Sequence, residues 1–384
     1  MPILLRITTV PISLHKLIKG QARYMVSKGF EVHLASADGI EVLEVVKTER
    51  VTHHIVNYTR EITPIKDLIS LWQTIKLIKK INPQIVHTHT PKAGLIGMMA
   101  AWYCRVPYRL HTIAGLPLLE ITGLKRLLLN KMEQLTSFCA TSILPNSFEL
   151  KKIMEVNNLA PRYKLKVIGN GSSNGINTSY FSPALHYHRD ELKKELKIKK
   201  NDTVFCFVGR LVKDKGINEL IEVFSRIRQS QSNVKLLLVG DMEKQLDPLF
   251  PETVEKIGVI PEIISVGWQD DIRPYLVVSD IFVFPSYREG FPNVVMQAGA
   301  MGLPSIVTNI NGSNEIIKDG VNGRIIPVKD VALLQDAMIE MLIDNTQKIE
   351  MATKAREIIV QKYEQSYVWE ELLKEYNTLL DGRD

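Results

Sequence analysis

Glu289 heads a run, Tyr287 to Pro304, whose residue types and spacing point to ligand chemistry. The run reads YREGFPNVVMQAGAMGLP: a carboxylate, a Gly290-Phe291-Pro292 turn, then small and apolar residues ending in Gly-Leu-Pro. It follows the strand-like segment DIFVFPS, Asp280 to Ser286. That order puts a carboxylate at the C-terminal mouth of a buried strand and aims the free N–H groups of the next helix at whatever binds there. No zinc or calcium cluster surrounds Glu289 in the sequence. It is better suited to accept hydrogen bonds from sugar or ribose hydroxyls, or to steady positive charge developing in a transition state, than to hold a metal. Asn293, in the first turn after Pro292, offers an amide to phosphate or sugar, and Gln297 a neutral amide to two vicinal hydroxyls. The purely structural alternative is a surface turn leading into a core helix.

A second block, Phe207-Val208-Gly209-Arg210-Leu211, is a strand ending in Gly-Arg, followed by Lys213, Lys215 and Gly216 just before a helix. Gly209 lets the backbone approach a ligand, Arg210 grips a phosphate with two donors, and Lys215 adds a compact positive charge. For Lys213 a solvated lysine is an equal alternative. The loop NINGSNEIIKDGVNG, Asn309 to Gly323, presents the backbone N–H groups of Gly312 and Ser313, with Glu315 at a helix start. Glu315 also fits a helix cap. GNGSSNG, Gly169 to Gly175, lacks the GxGxxG form with a downstream ribose carboxylate, which gives a dinucleotide redox enzyme little support. His87, His89 and His111 end apolar strands; three histidines suggest zinc, yet no fourth ligand is close. His87 and His89 share a side only if their strand runs through both.

The elements that must hold these residues alternate. ILLRITTV, FEVHLAS, PQIVHTH and YRLHTIA read as strands, with helices LIKGQARYMVSKG, LISLWQTIKLIKKINP and KAGLIGMMAAWYC between them, and SILPNS and KLKVIGNG closing the unit. After the glycine-rich break Gly169 to Asn177 the pattern restarts with VFCFVGR, VKLLLVG, IISVGW, IFVFPS, PSIVTN and GRIIPV. The expected fold is α/β: two facing, doubly wound parallel-sheet domains with ligands at the C-terminal strand ends. At 384 residues two domains are also the default by size. The tail, Lys348 to Leu380, reads as two helices, the second with an apolar face of Tyr367, Trp369, Leu372, Leu373, Tyr376 and Leu380.

Charge is divided. Residues 1–180 carry 23 Lys and Arg against 11 Asp and Glu, and residues 181–384 carry 25 against 31. The first half should therefore seek an anionic partner. Its basic residues are dispersed among Leu and Ile and no nucleic-acid reader motif accompanies them, so nucleic acid is excluded in favour of an anionic membrane surface or phosphorylated lipid. Two mixed segments are candidates for that contact: Leu14, Leu17 and Ile18 beside Lys16, Lys19 and Arg23, and GLKRLLLNKME, Gly123 to Glu133. Ordinary amphipathic core helices are the alternative for both. No apolar run is long enough to span a bilayer, the N-terminus reads as a strand rather than a signal peptide, and three scattered cysteines suit buried thiols in a reducing compartment.

Taken in order, VHTHTPKAGLIG (Val86 to Gly97), GSSNGIN, VGRLVKDKG, PSYREGFPNVVMQAGAMGLP and NGSNEIIKDGVNG resemble the retaining family 4 nucleotide-sugar glycosyltransferases of GT-B fold. The likeness is strongest to bacterial enzymes that extend polyprenyl-diphosphate-linked saccharides for capsule, O-antigen or glycoprotein glycans. It implies an acceptor-binding Rossmann-like domain over 1–172, a nucleotide-sugar-binding one over 173–365, and a final helix, 366–384, crossing back to the first. It also implies that Arg210 and Lys215 neutralise the donor diphosphate, that Glu289 contacts the donor sugar, and that Asn293 and Val294 help hold sugar or phosphate. Gly20, beside Gln21 at a helix start, would receive donor and acceptor. The resemblance further implies a nucleotide diphosphate sugar donor, expected to be UDP-linked, with no further cofactor, and a polyprenyl-diphosphate-linked saccharide acceptor at the cytoplasmic face of the inner membrane. Two positions depart from the family pattern: the second glutamate is Gln297, and the histidine before Gly115 is Ala114. Those losses motivate a rival, a non-catalytic nucleotide-sugar or polysaccharide-binding module. A sugar-nucleotide epimerase of the same fold would need acid–base groups on both sides of one sugar.

Overall fold

The structure is a computed structural model describing residues 1–116, 121–184, 188–243 and 245–382. The chain divides into two units, Met1–Gly175 with Gln365–Asp384, and Ile176–Glu364. In the first unit six parallel strands, β1 (Ile3–Ile7), β2 (Glu31–Ser36), β3 (Thr52–Ile55), β4 (Ile85–Thr88), β5 (Tyr108–Ile113) and β6 (Ser142–Pro145), lie in the order β3-β2-β1-β4-β5-β6. Helices α1 (Pro11–Leu17), α2 (Gln21–Ser27), α3 (Val42–Glu49), α4 (Pro64–Ile81), α5 (Pro91–Tyr103) and α6 (Gly123–Cys139) connect them, and α7 (Phe148–Val156) follows β6. In the second unit β7 (Thr203–Val208), β8 (Val234–Val239), β9 (Ile263–Ser265), β10 (Ile281–Phe284), β11 (Ser305–Thr308) and β12 (Gly323–Ile326) are ordered β12-β11-β10-β7-β8-β9. Its helices are α8 (Arg189–Glu195), α9 (Ile217–Ser230), α10 (Pro251–Val259), α11 (Arg273–Val277), α12 (Asn293–Ala300), α13 (Ser313–Ile316), α14 (Val331–Ile343) and α15 (Asn345–Tyr363), after which α16 (Gln365–Leu380) returns to the first unit.

Both units are thus Rossmann-like and doubly wound, as the alternating pattern predicts. Strands covered on both faces must be apolar on both, and β7 meets that demand, with Val204, Phe205, Cys206 and Phe207 all fully buried. Each order reverses once, between β1 and β4 in the first sheet and between β7 and β10 in the second. At such a reversal the loops leaving neighbouring strands go to opposite faces and open a crevice at the C-terminal ends.

Local chemistry sets the helix ends. Pro64 opens α4, and Asn82 closes it in the left-handed region, its N–H returning to the Ile78 carbonyl at 2.8 Å. Asp330 caps α14 by accepting from the Leu333 N–H at 2.9 Å. The aromatic tail packs: Val368, Leu372, Tyr376 and Leu379 of α16 are buried, and the last three join Leu4, Phe30 and Leu34 in one apolar cluster.

Several expectations are corrected. The helix expected through LIKGQARYMVSKG is two helices, because Gly20 adopts φ +86° between α1 and α2. KLKVIGNG forms only an isolated bridge, Leu165 with Ile143, since its glycines and polar residues leave the sheet edge for the linker. β3 was missed: THHI carries two histidines and lacks the apolar run of its neighbours. Leu14 and Ile18 are buried in the first unit's core, so that segment belongs to the core, and the membrane reading fails there.

Candidate functional site

Three loops of the second unit converge beside the β7–β10 reversal: Gly209–Gly216 after β7, Pro285–Pro292 after β10, and Asn309–Ser313 after β11. Their close approach depends on glycine. At Gly216 (φ +70°) an added Cβ would overlap the Pro285 carbonyl oxygen. At Gly312 (φ +76°) one would lie 2.6 Å from the Gly290 oxygen and 2.8 Å from the Phe291 Cα. Only a residue lacking Cβ and tolerating positive φ lets these backbones touch. The Tyr287 N–H donates to the Asp214 carbonyl at 2.7 Å, joining the first two loops. Asn311 Nδ2 donates to the Glu289 and Gly290 carbonyls at 3.1 and 2.6 Å, joining the second to the third.

The central side-chain contact is an ion pair between Lys215 and Glu289 Oε1, whose side chains are only 16% and 18% exposed. The Ser286 hydroxyl lies 3.1 Å from the same carboxylate oxygen. Phe284 sits beneath, with the Lys215 ammonium 5.8 Å from its ring centre. The pair is thus anchored by residues of β10 and its loop, while Arg288 pairs with Asp214 at 3.0 Å on the outer side. Arg210 behaves differently. It is exposed, and among the described residues its side chain has neither ion pair nor hydrogen bond. One cation is held in place and the other is free to meet an anion.

Gly290, half-buried, and Phe291, buried, form the turn; Phe291 packs on Tyr363, ring centres 5.5 Å apart. Asn293 is exposed at the first turn of α12, Val294 is half-buried beside it, and Gln297 is half-buried one turn on, with no side-chain partner among the described residues. Gly312 precedes α13, and Ser313, its first residue, is buried with an unpartnered Oγ. Gly209 directly follows β7, its N–H held by the Val239 carbonyl at 2.9 Å.

Gly20 lies in the first unit. Its N–H donates to Glu49 Oε1 at 2.5 Å, and a Cβ there would lie 2.6 Å from the Trp369 ring. Gln21 is fully buried, donating to the Ser173 carbonyl and to Asn174 Oδ1 at 2.7 and 2.8 Å. These groups are engaged in holding α2, α16 and the linker together. His87 and His89 do lie on one side, ring centres 4.2 Å apart, but each is buried in a hydrogen-bond network. His111 bonds Thr88 Oγ1 at 2.8 Å and packs on Gly94. Burial holds all three below the ordinary histidine range, His111 at about 4. Among the described residues no three His, Cys, Asp or Glu side chains form a metal cluster. Sequence reasoning missed Ser286 and Asn311, although each stands within a loop it singled out.

A family model described as "Glycosyl transferases group 1" matches residues 188–358, and one described as "Glycosyl transferase 4-like" matches residues 9–147. The chain is 35% identical over 369 residues to the capsular polysaccharide biosynthesis glycosyltransferase CapM of Staphylococcus aureus, covering 95% of this chain and 94% of that protein. It is 32% identical over 306 residues, 78% of this chain and 77% of the relative, to the UDP-Gal:alpha-D-GlcNAc-diphosphoundecaprenol alpha-1,3-galactosyltransferase of Escherichia coli. Among solved structures, Anabaena Alr3699/HepE in complex with UDP matches with a TM-score of 0.81 at 17% identity, over 98% of this chain and 100% of that one. That likeness identifies the fold as GT-B.

Proposed function

The chain belongs to the glycosyltransferases of GT-B fold related to bacterial capsule and lipopolysaccharide enzymes, and from that premise we propose a retaining hexosyltransferase. It moves a hexose or N-acetylhexosamine from a UDP-linked donor to a polyprenyl-diphosphate-linked saccharide. The observation that carries the reading is the pairing of half-buried Lys215 with Glu289 beside an unpartnered Arg210 at the β7–β10 reversal. Cations stabilise a diphosphate leaving group where its charge grows, and a carboxylate accepts from the hydroxyls of a sugar ring.

In this mechanism Arg210 and Lys215 neutralise the departing diphosphate as the bond from the anomeric carbon to phosphate oxygen breaks. The acceptor hydroxyl attacks from the same face, and its proton passes to the departing phosphate. Glu289, oriented by Ser286, accepts from the donor sugar. Asn293, Val294 and the N–H groups of Gly312 and Ser313 hold sugar or phosphate, and Gln297 meets the ribose hydroxyls as an amide. The acceptor class is supported by the Escherichia coli relative's name and by the basic first unit.

The reading places the enzyme at the cytoplasmic face of the inner membrane, touching it with α6. Leu124 of α6 is 86% exposed, and Leu127 and Leu128 are exposed with it, interleaved with Lys125, Arg126 and Lys131. Apolar side chains among cations suit an anionic lipid surface. No described helix is long and apolar enough to cross a membrane.

The experiment is a screen of UDP, GDP and other nucleotide sugars with a polyprenyl-diphosphate saccharide, reading nucleotide release and lipid product together. Nucleotide-sugar binding without release from any donor would sink the catalytic assignment. Release without lipid product would sink the acceptor.

A further inference from the structure

Arg6 is a buried cation without a counter-ion. It lies on β1, the strand bordering the first sheet's reversal, and is 0% exposed. Its Nε and Nη2 approach His89 Nε2 at 3.3 and 2.8 Å, and its Nη1 has no partner within the protein. The carboxylate whose field reaches it, Glu49, is engaged by the N–H groups of Gly20 and Arg23 at 2.5 and 3.1 Å. Tyr376, the other group acting on it, is a neutral phenol that burial pushes up to about 12.

The hydrogen-bond inventory around Arg6 leans toward donors. A guanidinium only donates, so His89 Nε2 is the bare acceptor and the neutral ring carries its proton on Nδ1. Nδ1 too has no partner. Ser173 Oγ is likewise unpartnered, and Ser172 Oγ accepts from the Gly175 N–H at 3.0 Å, which leaves its hydroxyl proton to give. Against these donors stands one unpartnered acceptor, Asn146 Oδ1, whose Nδ2 donates to the Ala114 carbonyl at 3.4 Å. Arg6, His89, Asn146, Ser172 and Ser173 all line one cavity of about 20 Å³.

We propose that this cavity binds one inorganic anion of halide size, held by Arg6 Nη1, His89 Nδ1 and the Ser173 hydroxyl. Size and charge set the class. About 10–15 Å³ is enough for a single water-sized occupant, and a space of about 20 Å³ suits one ion of that size. Water would answer the unpaired donors but leave a net charge buried and uncompensated. A monovalent anion answers both.

The position gives the ion a consequence. Ser172 and Ser173 stand just before the Gly175–Ile176 divide, and Val368 and Leu372, which also line the cavity, follow the Glu364–Gln365 divide. The anion therefore fastens both segments by which the chain leaves and re-enters this unit to β1 and β4. This is independent of the transferase reading.

The test uses the whole protein exchanged into gluconate buffer at fixed ionic strength. Titration with chloride or bromide should raise Tm saturably, and sulfate should produce no saturable rise. Arg6→Leu should abolish the halide response, and Ser173→Ala should weaken the half-saturating concentration about three- to tenfold. Crystals soaked in bromide should show an anomalous peak against Arg6 Nη1, a measurement that decides the matter even when Arg6→Leu does not fold. Water at that place without bromide, or an equal halide response in wild type and Ser173→Ala, overturns the proposal.

Discussion

Replacing Lys215 with methionine separates the two roles given to the Lys215–Glu289 pair. The substitution keeps most of the side-chain volume, removes the charge, and leaves Glu289 with the Ser286 hydroxyl. Two unit charges in contact at an effective dielectric near 20 attract by about 4 kcal/mol before desolvation and side-chain entropy are subtracted. Exposed pairs retain about 0.2–1 kcal/mol of this, whereas stranding one partner of a fully buried pair costs about 3–5 kcal/mol. With both side chains less than a fifth exposed, Lys215→Met should cost about 1–3 kcal/mol in urea unfolding. Lys215→Met with Glu289→Gln should recover part of it, with a coupling energy of about 1–2 kcal/mol. Turnover, read as nucleotide release with saturating acceptor, should fall about 10²–10³-fold in Lys215→Met, as when one preorganised donor is removed from a developing anion. Arg210→Ala should lower turnover while leaving the unfolding curve unchanged, because that side chain is exposed and unpartnered. A coupling energy below about 0.3 kcal/mol would show that the pair does not form in solution. Full turnover in Lys215→Met would remove Lys215 from the chemistry.

Gly216→Ala should destabilise by at least about 2 kcal/mol in the same unfolding assay, from positive φ and overlap with the Pro285 oxygen together. Glu289→Gln should lower turnover more than it lowers nucleotide affinity measured by calorimetry, and equal turnover would clear Glu289 of a catalytic part. Leu124→Asp with Leu127→Asp should reduce co-sedimentation with phosphatidylglycerol vesicles roughly tenfold or more, given about 1.5–3 kcal/mol for each fully buried leucine, without changing nucleotide release in detergent. Stability should fall on acidification below pH 6.5. His87, His89 and His111 have folded-state pKa values depressed below that unfolded value, so the unfolded chain binds more protons there. Each adds a slope of up to about 1.4 kcal/mol per pH unit from 6.5 down to its own folded pKa, about 4 for His111. Thermal melts from pH 7.5 to 5 check this, and His111→Asn should flatten the slope.

The loops around Glu289 and Arg210 were legible because strand, turn glycine, polar residue and helix start are contiguous in sequence, and each signal is local. Ser286 and Asn311 were harder to read. A serine after a strand and an asparagine in a glycine loop are common, and only the fold brings them to the Glu289 carboxylate and backbone. Gly20 illustrates the opposite limit. Its glycine was noticed as a helix start, but Trp369, which demands it, lies 349 positions away. The two basic amphipathic segments looked alike; burial of Leu14 and exposure of Leu124 distinguish them.

From the sequence alone came the two α/β units, the loops proposed to hold phosphate and sugar, and the unequal charge of the two halves, because these follow from periodicity, turn chemistry and composition. Tertiary structure alone decided which charges are paired. Arg6 reads as an arginine inside a strand, but its burial without a carboxylate depends on β4, the linker and α16 closing around it. Likewise Lys215 and Glu289, 74 positions apart, become one electrostatic unit only when β7 and β10 pair. Coulomb energy depends on distance and dielectric, and both are set by packing.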